Sequence, residues 1–297
     1  MSDSDLSDAD YLRRYDDMAN RAAAAVIAEY STSFGMSSNL LSPAVRRDIR
    51  NLYAMVRIAD EIVDGTAAVA GVTDPSRALD SYEQQIRNAP NLRFHTDPVV
   101  HAYAQTARHC NFKDEHVAAF FRSMRRDLTQ TQHTDETLDD YIYGSAEVIG
   151  LLCLAAFYAD RTVSPQQYGE LENGARSLGA AFQKINFLRD VREDTVSLGR
   201  TYFPGTEHHL NNAAKDEIVA SIRKDLVVAR GVIPELPLSA RAGVLAATEL
   251  FTELTERIDD IDAAELVRTR ISVPARRKAL LIARSVARAP LLKGSSS

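Results

Sequence analysis

Apolar positions recur at intervals of three and four along most of the chain, as in Ile49, Leu52, Tyr53 and Val56, or Leu178, Phe182, Ile185 and Leu188. That period draws one apolar stripe along a helix; a half-buried strand needs strict alternation, and no convincing run of it occurs. Helix starts are marked as well. Ser42-Pro43, Asp74-Pro75, Asp97-Pro98 and Ser164-Pro165 each set a capping side chain before a proline suited to the first helical position. Ser164 is followed three residues on by Gln167, the spacing of a capping box. The pattern predicts about ten helices, near 10–30, 43–65, 75–88, 98–110, 114–129, 137–158, 165–194, 213–231, 239–262 and 274–289. Loops are expected over 65–73, 88–96 and 195–212, the last placed to serve as a flap. No fixed repeat or linker divides the chain, so the expectation is one all-α domain over 1–297, with 1–9 and 291–297 as flexible tails.

Composition sharpens this picture. Hydrophobic residues make 45% of 297, enough for a large core, and Gly and Pro are sparse at 13 and 10. The net charge of −6 argues against a nucleic-acid binder, whose surface would be basic. Cys110 and Cys153 are too few for a disulfide framework or a thiolate cage and read as buried thiols in a reducing compartment. The acidic start, Met1 to Asp5, has no signal-peptide pattern, and the longest near-apolar run, Val148 to Ala159, is too short to span a bilayer. A cytoplasmic protein is expected, with peripheral contact at the inner face of the membrane left open. Nothing in the pattern specifies an oligomeric state.

The chemistry concentrates in two acidic pairs of equal spacing. Asp60 and Asp64 lie one turn apart on one predicted helix, Asp190 and Asp194 on another, so each pair shares a face. Tyr53, Arg57, Asp60 and Asp64 step by four, three and four; Gln183, Asn186, Asp190 and Asp194 step by three, four and four. Like charges so placed repel unless something cationic lies between them. Two such faces suit Mg²⁺, with Mn²⁺ as a substitute, and through the metal an anionic diphosphate; Asn186 adds an amide oxygen and Arg189 a phosphate-binding fork. Gly174 and Gly179, inside the second helix, mark either close packing or room for a ligand. Arg46-Arg47, Arg268 to Arg270 and Arg276-Arg277-Lys278 are basic clusters that suit solvated helix ends as well as phosphates. His208-His209 lacks helical ligand spacing, and there is no Glu-x-x-His, P-loop, Gly-x-Gly-x-x-Gly or Gly-x-Ser-x-Gly.

Taken in order, these segments resemble the head-to-head prenyl synthases, the family of phytoene, squalene and dehydrosqualene synthases. The resemblance runs from Tyr30 to Lys278. It is carried by Tyr30-Ser31-Thr32-Ser33-Phe34, Arg46-Arg47 through Tyr53 to Asp64, Met124 to Leu128, Tyr141-Ile142-Tyr143-Gly144, Gln183 to Asp194, and Gly199-Arg200-Thr201-Tyr202-Phe203-Pro204. It implies a helical prenyl-synthase fold with a central cavity. Asp60, Asp64, Asp190 and Asp194 match the metal ligands, assisted by Asn186. Arg57, Arg189 and Arg270 match diphosphate-binding arginines, and Ser31, Phe34, Tyr53, Tyr141 and Gln183 match positions around the substrates, with Tyr53 and Arg57 also among the catalytic set. The implied reaction joins two geranylgeranyl diphosphates through a cyclopropylcarbinyl diphosphate to phytoene, without NADPH. The alternatives are farnesyl diphosphate giving squalene or dehydrosqualene, or a silent scaffold relative, whose signature would be lost aspartates. The chain departs from the family pattern at Glu147, where a glycine is usual, at Phe251 and at Arg192.

Overall fold

The computed structural model describes residues 8–197, 199–206, 210–292 and 294, with the side chains of 193–197 outside the description. Fourteen α-helices make up this part: α1 Asp8–Tyr30, α2 Thr32–Ser38, α3 Pro43–Val63, α4 Thr66–Val69, α5 Pro75–Asn88, α6 Pro98–His109, α7 Asp114–Asp127, α8 Asp135–Ile142, α9 Val148–Phe157, α10 Pro165–Ser197, α11 Asn212–Val232, α12 Leu238–Asp259, α13 Ala263–Leu266 and α14 Ala275–Arg288. Among the described residues there is no strand, only an isolated bridge between Gln132 and Thr201. The ten expected helices are present within a few residues of their expected ends. The short α2, α4 and α13 were not anticipated, because four to seven residues are too few to display a helical period. Of the expected tails, Asp8 and Ala9 are helical and Leu291 sits in a 3₁₀ turn; 1–7 and 295–297 lie outside the described residues, as do His208 and His209.

The caps follow the sequence in part. Asp74 Oδ1 accepts from the Arg77 amide at 2.9 Å, and Asp97 Oδ1 from those of Val99 and Val100 at 2.7 and 3.0 Å. Ser42 forms no side-chain cap; its own amide instead donates to the Ser239 carbonyl at 2.9 Å, tying the start of α3 to α12. Ser164 makes half of its box, accepting from the Gln167 amide at 3.3 Å, while the Gln167 side chain reaches Glu235 at 3.4 Å.

The two largest apolar clusters among the described residues lie on α3 and on α10. Leu52, Met55 and Ala59 of α3 pack with residues of α5, α6, α7 and α9, among them Leu79, Tyr103, Phe121 and Leu152. Ala181, Ile185 and Leu188 of α10 pack with α11, α12 and α13 through Val219, Ile222, Leu254 and Leu266. Between these halves runs a continuous rod of α8, a π-helical turn Tyr143–Glu147 and α9. By length and composition the 23 residues Asp135–Phe157 would cross a membrane, yet half of their apolar window is buried inside the fold. The run is longer than Val148–Ala159 because α8 and the turn continue it.

Glycines set how closely the rod is held. A Cβ on Gly144 would stand 2.1 Å from Ser123 Oγ and 2.5 Å from the Ala119 carbonyl of α7. On the other side, a Cβ on Gly150 would meet the Ala175 carbonyl at 2.3 Å, and one on Gly179 the Ala146 carbonyl at 2.5 Å. Gly174 would strike Val232 at 2.1 Å. Close packing therefore explains Gly174 and Gly179. Glu147 is engaged in the same seam: Arg176 Nε donates to its Oε2 at 2.7 Å, and the Arg176 guanidinium lies 5.4 Å from the Tyr143 ring centre.

Replacing Gly150 by Ala should lower the melting temperature, since a backbone carbonyl cannot yield without parting α9 from α10; overpacking of this kind costs about 1–3 kcal/mol. Gly169, also inside α10, has nothing within 4 Å of its virtual Cβ. Gly169→Ala should raise the melting temperature, because Ala is favoured over Gly inside a helix by ~1 kcal/mol. Thermal melts of the two variants should move in opposite directions.

Candidate functional site

The inward face of α3 is apolar, and Tyr53, Arg57 and Asp60 interrupt it as part-exposed polar side chains. Around them collects the first half of the site. Ser31 Oγ caps α2 by accepting from the Phe34 amide at 3.3 Å, and it also hydrogen-bonds Tyr53. Phe34 stacks on Tyr53 with ring centres 5.9 Å apart. Burial raises the Tyr53 phenol above its usual range, ahead of the opposing pull of Arg57, so it stays protonated. Arg57 pairs with Glu61 one turn on, lies 4.0 Å from Asp60 and stands 4.3 Å from the Tyr30 ring centre. Burial pushes Glu61 upward, but hydrogen bonds from Thr66 and Arg57 outweigh it and hold Glu61 below the ordinary range.

Asp60 goes the other way. Burial first, then the charge of Asp64, raises its carboxyl well above the usual range, and Arg57 offsets only part of this. Asp64, the last residue of the expected pair, is met by an arginine from far along the chain. Arg200 Nη1 donates to Asp64 Oδ1 at 2.8 Å, and its Nη2 to the carbonyls of Val63 and Asp127 at 3.1 and 2.9 Å. Asp127, buried at the end of α7, accepts from the Tyr141 hydroxyl at 2.8 and 2.9 Å and lies 4.0 Å from Arg200. Desolvation raises Asp127 to about 7, against the pull of Arg200 and Tyr141. Tyr141 itself is pushed up by burial and by Asp127, which keeps it a donor.

The second half is on α10. Arg189 forms a two-pronged pair with the neighbouring Asp190, Nε donating at 2.9 and 3.1 Å, and Arg270 Nε reaches Asp190 Oδ1 at 2.9 Å. Asp190 is thus held between two guanidinium groups. One turn before it, Asn186 Oδ1 is buried with no hydrogen-bond partner. An orphaned buried acceptor carries a desolvation cost that a cation or donor would relieve. Gln183, one turn further back, is half-buried. Asp194 follows Asp190 by one turn of the same helix, and its side chain lies outside the description. Arg192 is directed elsewhere, donating to the Arg268 carbonyl at 3.0 Å, and Phe251 stacks on Phe182 with ring centres 3.9 Å apart.

A chain of contacts joins the halves. Phe187 of α10 stacks on Tyr202 at 3.8 Å and lies 6.0 Å from the Tyr141 ring; Tyr141 reaches Asp127, and Arg200 then reaches Asp64. The backbone after α10 is pinned beside it, with the Thr201 amide on the Thr131 carbonyl at 2.8 Å. Arg200, Asp127, Glu61 and Tyr30 were not among the residues expected from the spacing of the acids. The segments Met124 to Leu128 and Gly199 to Pro204 did stand out in the sequence, but their partners are 73 and 136 residues away. Asp48, His109 and Cys110 form a separate group near the start of α3. His109 bridges Asp48 at 3.0 Å and Asp160 at 3.3 Å, and Thr106 donates to Asp48 at 2.9 Å, so these carboxylates are matched within the fold.

Asp127 and Asp60 are both raised by the fold, so their contribution to stability is complete below the unfolded carboxylate value and is lost as pH climbs, through about 7 for Asp127. In metal-free buffer, the melting temperature should fall from mildly acidic toward neutral pH. Asp127→Asn, which retains an acceptor for Tyr141, should flatten that fall; an unchanged slope would show that Asp127 does not carry it.

Comparison with known proteins identifies the family and the fold. The sequence profile of the squalene/phytoene synthase family matches residues 27–277. Phytoene synthase 1, chloroplastic, of Solanum lycopersicum is 28% identical over 257 residues, covering 80% of this chain and 60% of its own length. The 15-cis-phytoene synthase of Synechocystis sp. is 30% identical over 206 residues, covering 67% and 60%. The chain thus matches about three-fifths of the length of these two relatives. A dehydrosqualene synthase solved with ligand superimposes with a TM-score of 0.77 at 17% identity, covering 94% of this chain and 99% of that one. A squalene synthase from Alicyclobacillus acidocaldarius gives 0.70 at 21% identity, over 84% and 94%. Those identities speak for the fold, and the profile match for descent: the chain belongs to the squalene/phytoene synthase family and has its isoprenoid-synthase helical fold.

Proposed function

We propose that this chain, acting as one catalytic domain, is a Mg²⁺-dependent phytoene synthase that joins two geranylgeranyl diphosphates head to head. The observation that carries the reading is Asp60, a half-buried carboxyl one turn from the exposed Asp64, pushed up by burial and by that neighbouring charge and only partly offset by Arg57 at 4.0 Å. The unpartnered Asn186 Oδ1 supports it from α10. Oxygen donors of this kind fit a hard divalent cation that keeps part of its water and takes phosphate oxygens as further ligands. Asp60 and Asp64 would hold it on one side, and Asn186, Asp190 and Asp194 on the other. When bound, the cation supplies charge stabilisation for the departing diphosphate.

The chain's own residues do the rest. Arg189 and Arg270, which both pair with Asp190, would offer their guanidinium groups to the diphosphate oxygens, and Arg57 would add a third from α3. Ionisation of the allylic C–O bond leaves a carbocation that water must not reach. Phe34 and Tyr53 present stacked rings to it, and the neutral Tyr53 phenol offers a π face without a competing charge. The double bond of the second substrate attacks the cation to give a cyclopropylcarbinyl diphosphate; a second ionisation, rearrangement and proton loss then yield the hydrocarbon. Nothing in this sequence of steps consumes NADPH.

The purified protein should be incubated with Mg²⁺ and either geranylgeranyl or farnesyl diphosphate, with and without NADPH. Phytoene formed without NADPH is the expected product. Squalene or dehydrosqualene from farnesyl diphosphate would replace the proposed chain length, and turnover of neither substrate would indicate a silent relative. Asp60→Ala and Asp190→Ala should each lower kcat by roughly a hundredfold or more while circular dichroism stays that of a folded helical protein. Undiminished turnover in both would reject them as metal ligands. Asn186→Ala should chiefly raise the Mg²⁺ concentration needed for half-maximal activity.

A further inference from the structure

We infer that α14 and the 3₁₀ turn after it form a docking face for an anionic phospholipid surface. The helix has two unlike sides. Leu281 and Ser285 are buried, and the Ser285 hydroxyl is satisfied by the Leu281 carbonyl at 2.9 Å. On the outward side, Arg276, Leu280, Ala283 and Ala287 step by four, three and four and are all exposed, which draws one line along the helix. Leu280 is 42% and Val286 46% exposed, and the turn Ala289–Leu291 adds Leu291 at 77%.

Charge gives this face its direction. α14 carries Arg276, Arg277, Lys278, Arg284 and Arg288 and no acid, in a chain whose net charge is −6. Only Arg277 is matched, by Glu253 of α12 at 2.8 Å. Arg276, Lys278, Arg284 and Arg288 make no ion pair among the described residues. The neighbouring acids of α12 are already committed, Glu249 to Arg230 and Glu256 to Arg223. Three exposed free cations, Arg276, Arg284 and Arg288, beside exposed leucine and valine are the make-up of an interfacial helix: the apolar side chains enter the acyl boundary and the basic ones reach headgroup phosphates. A nucleic acid would match the cations and leave Leu280, Val286 and Leu291 in water. An anionic bilayer matches both. The turn that carries Leu291 is braced for contact, because Arg241 donates to the carbonyls of Ala289 and Leu292 at 3.3 and 2.8 Å.

The inference goes beyond the proposed reaction and needs no turnover, so it stands or falls separately. The full chain should be floated with phosphatidylglycerol-containing vesicles and with pure phosphatidylcholine vesicles, without substrate, at low and high salt. Binding to the anionic vesicles is expected, at least tenfold weaker on phosphatidylcholine and weakened again by salt. Arg284→Glu with Arg288→Glu, and separately Leu280→Ser with Leu291→Ser, should each cut binding at least tenfold. Arg122→Glu, an exposed arginine on α7, should not. All these positions are exposed, so unchanged melting curves should accompany the loss. Absence of binding to anionic vesicles, or binding that both α14 variants retain, would overturn the inference. So would variants that shift the sedimentation coefficient while leaving vesicle binding intact, since that outcome assigns the face to a second protein molecule.

Discussion

The approach of the α8–α9 rod to its neighbours is the constraint on which the remaining geometry rests. Its backbone runs against α7 at Gly144 and against α10 at Gly150 and Gly179, where a single methyl group would stand 2.1 to 2.5 Å from a facing atom. α9 also packs on α3, so the rod spaces the two helices that carry the acidic pairs. The π turn belongs to the same device. It adds a residue to one helical turn and shifts which side chains face α7 and α10. The carbonyl of Tyr141, beside the turn, takes a hydrogen bond from Ser123 at 3.2 Å, so the irregular backbone remains satisfied.

Electrostatics then divides the site unequally. On α10, Asp190 has more positive charge than it needs, with Arg189 and Arg270 both upon it. On α3, Asp64 has Arg200, whereas Asp60 stays short of a counter-charge because Arg57 is committed chiefly to Glu61. A divalent cation with a diphosphate would even out this distribution, adding positive charge at the carboxylates and negative charge at the arginines. That complementarity of surplus and deficit says more about the proposed chemistry than the number of acids does, since exposed acidic clusters are common on protein surfaces.

Arg200 also shows how a loop becomes part of a wall. It leaves α10 and donates to three oxygens on the far ends of α3 and α7. Burial alone would disfavour its charge, but Asp127 and Asp64 outweigh that cost and keep the guanidinium protonated. Tyr202, two residues on, fills the gap between Phe187 and Tyr141. The return segment that the sequence suggested as a flap is therefore anchored at its start.

Helix content, most helix positions and the two acidic stripes were legible in the chain itself, because period, caps and i,i+4 spacing are local properties that a few neighbouring residues decide. The resemblance segments also contain Asp127 and Arg200, though nothing in their spacing points to their partners. Left open were those features whose cause lies in another helix. Glycines in α10 had two readings until Ala146 and Val232 appeared opposite them. Glu147 was an anomaly until Arg176 was found beside it, and Ser42, though at the N-cap position of α3, makes no side-chain cap. A side chain's charge state and partner depend on groups brought near by packing, often more than a hundred residues distant, and spacing along one chain carries no information about that distance.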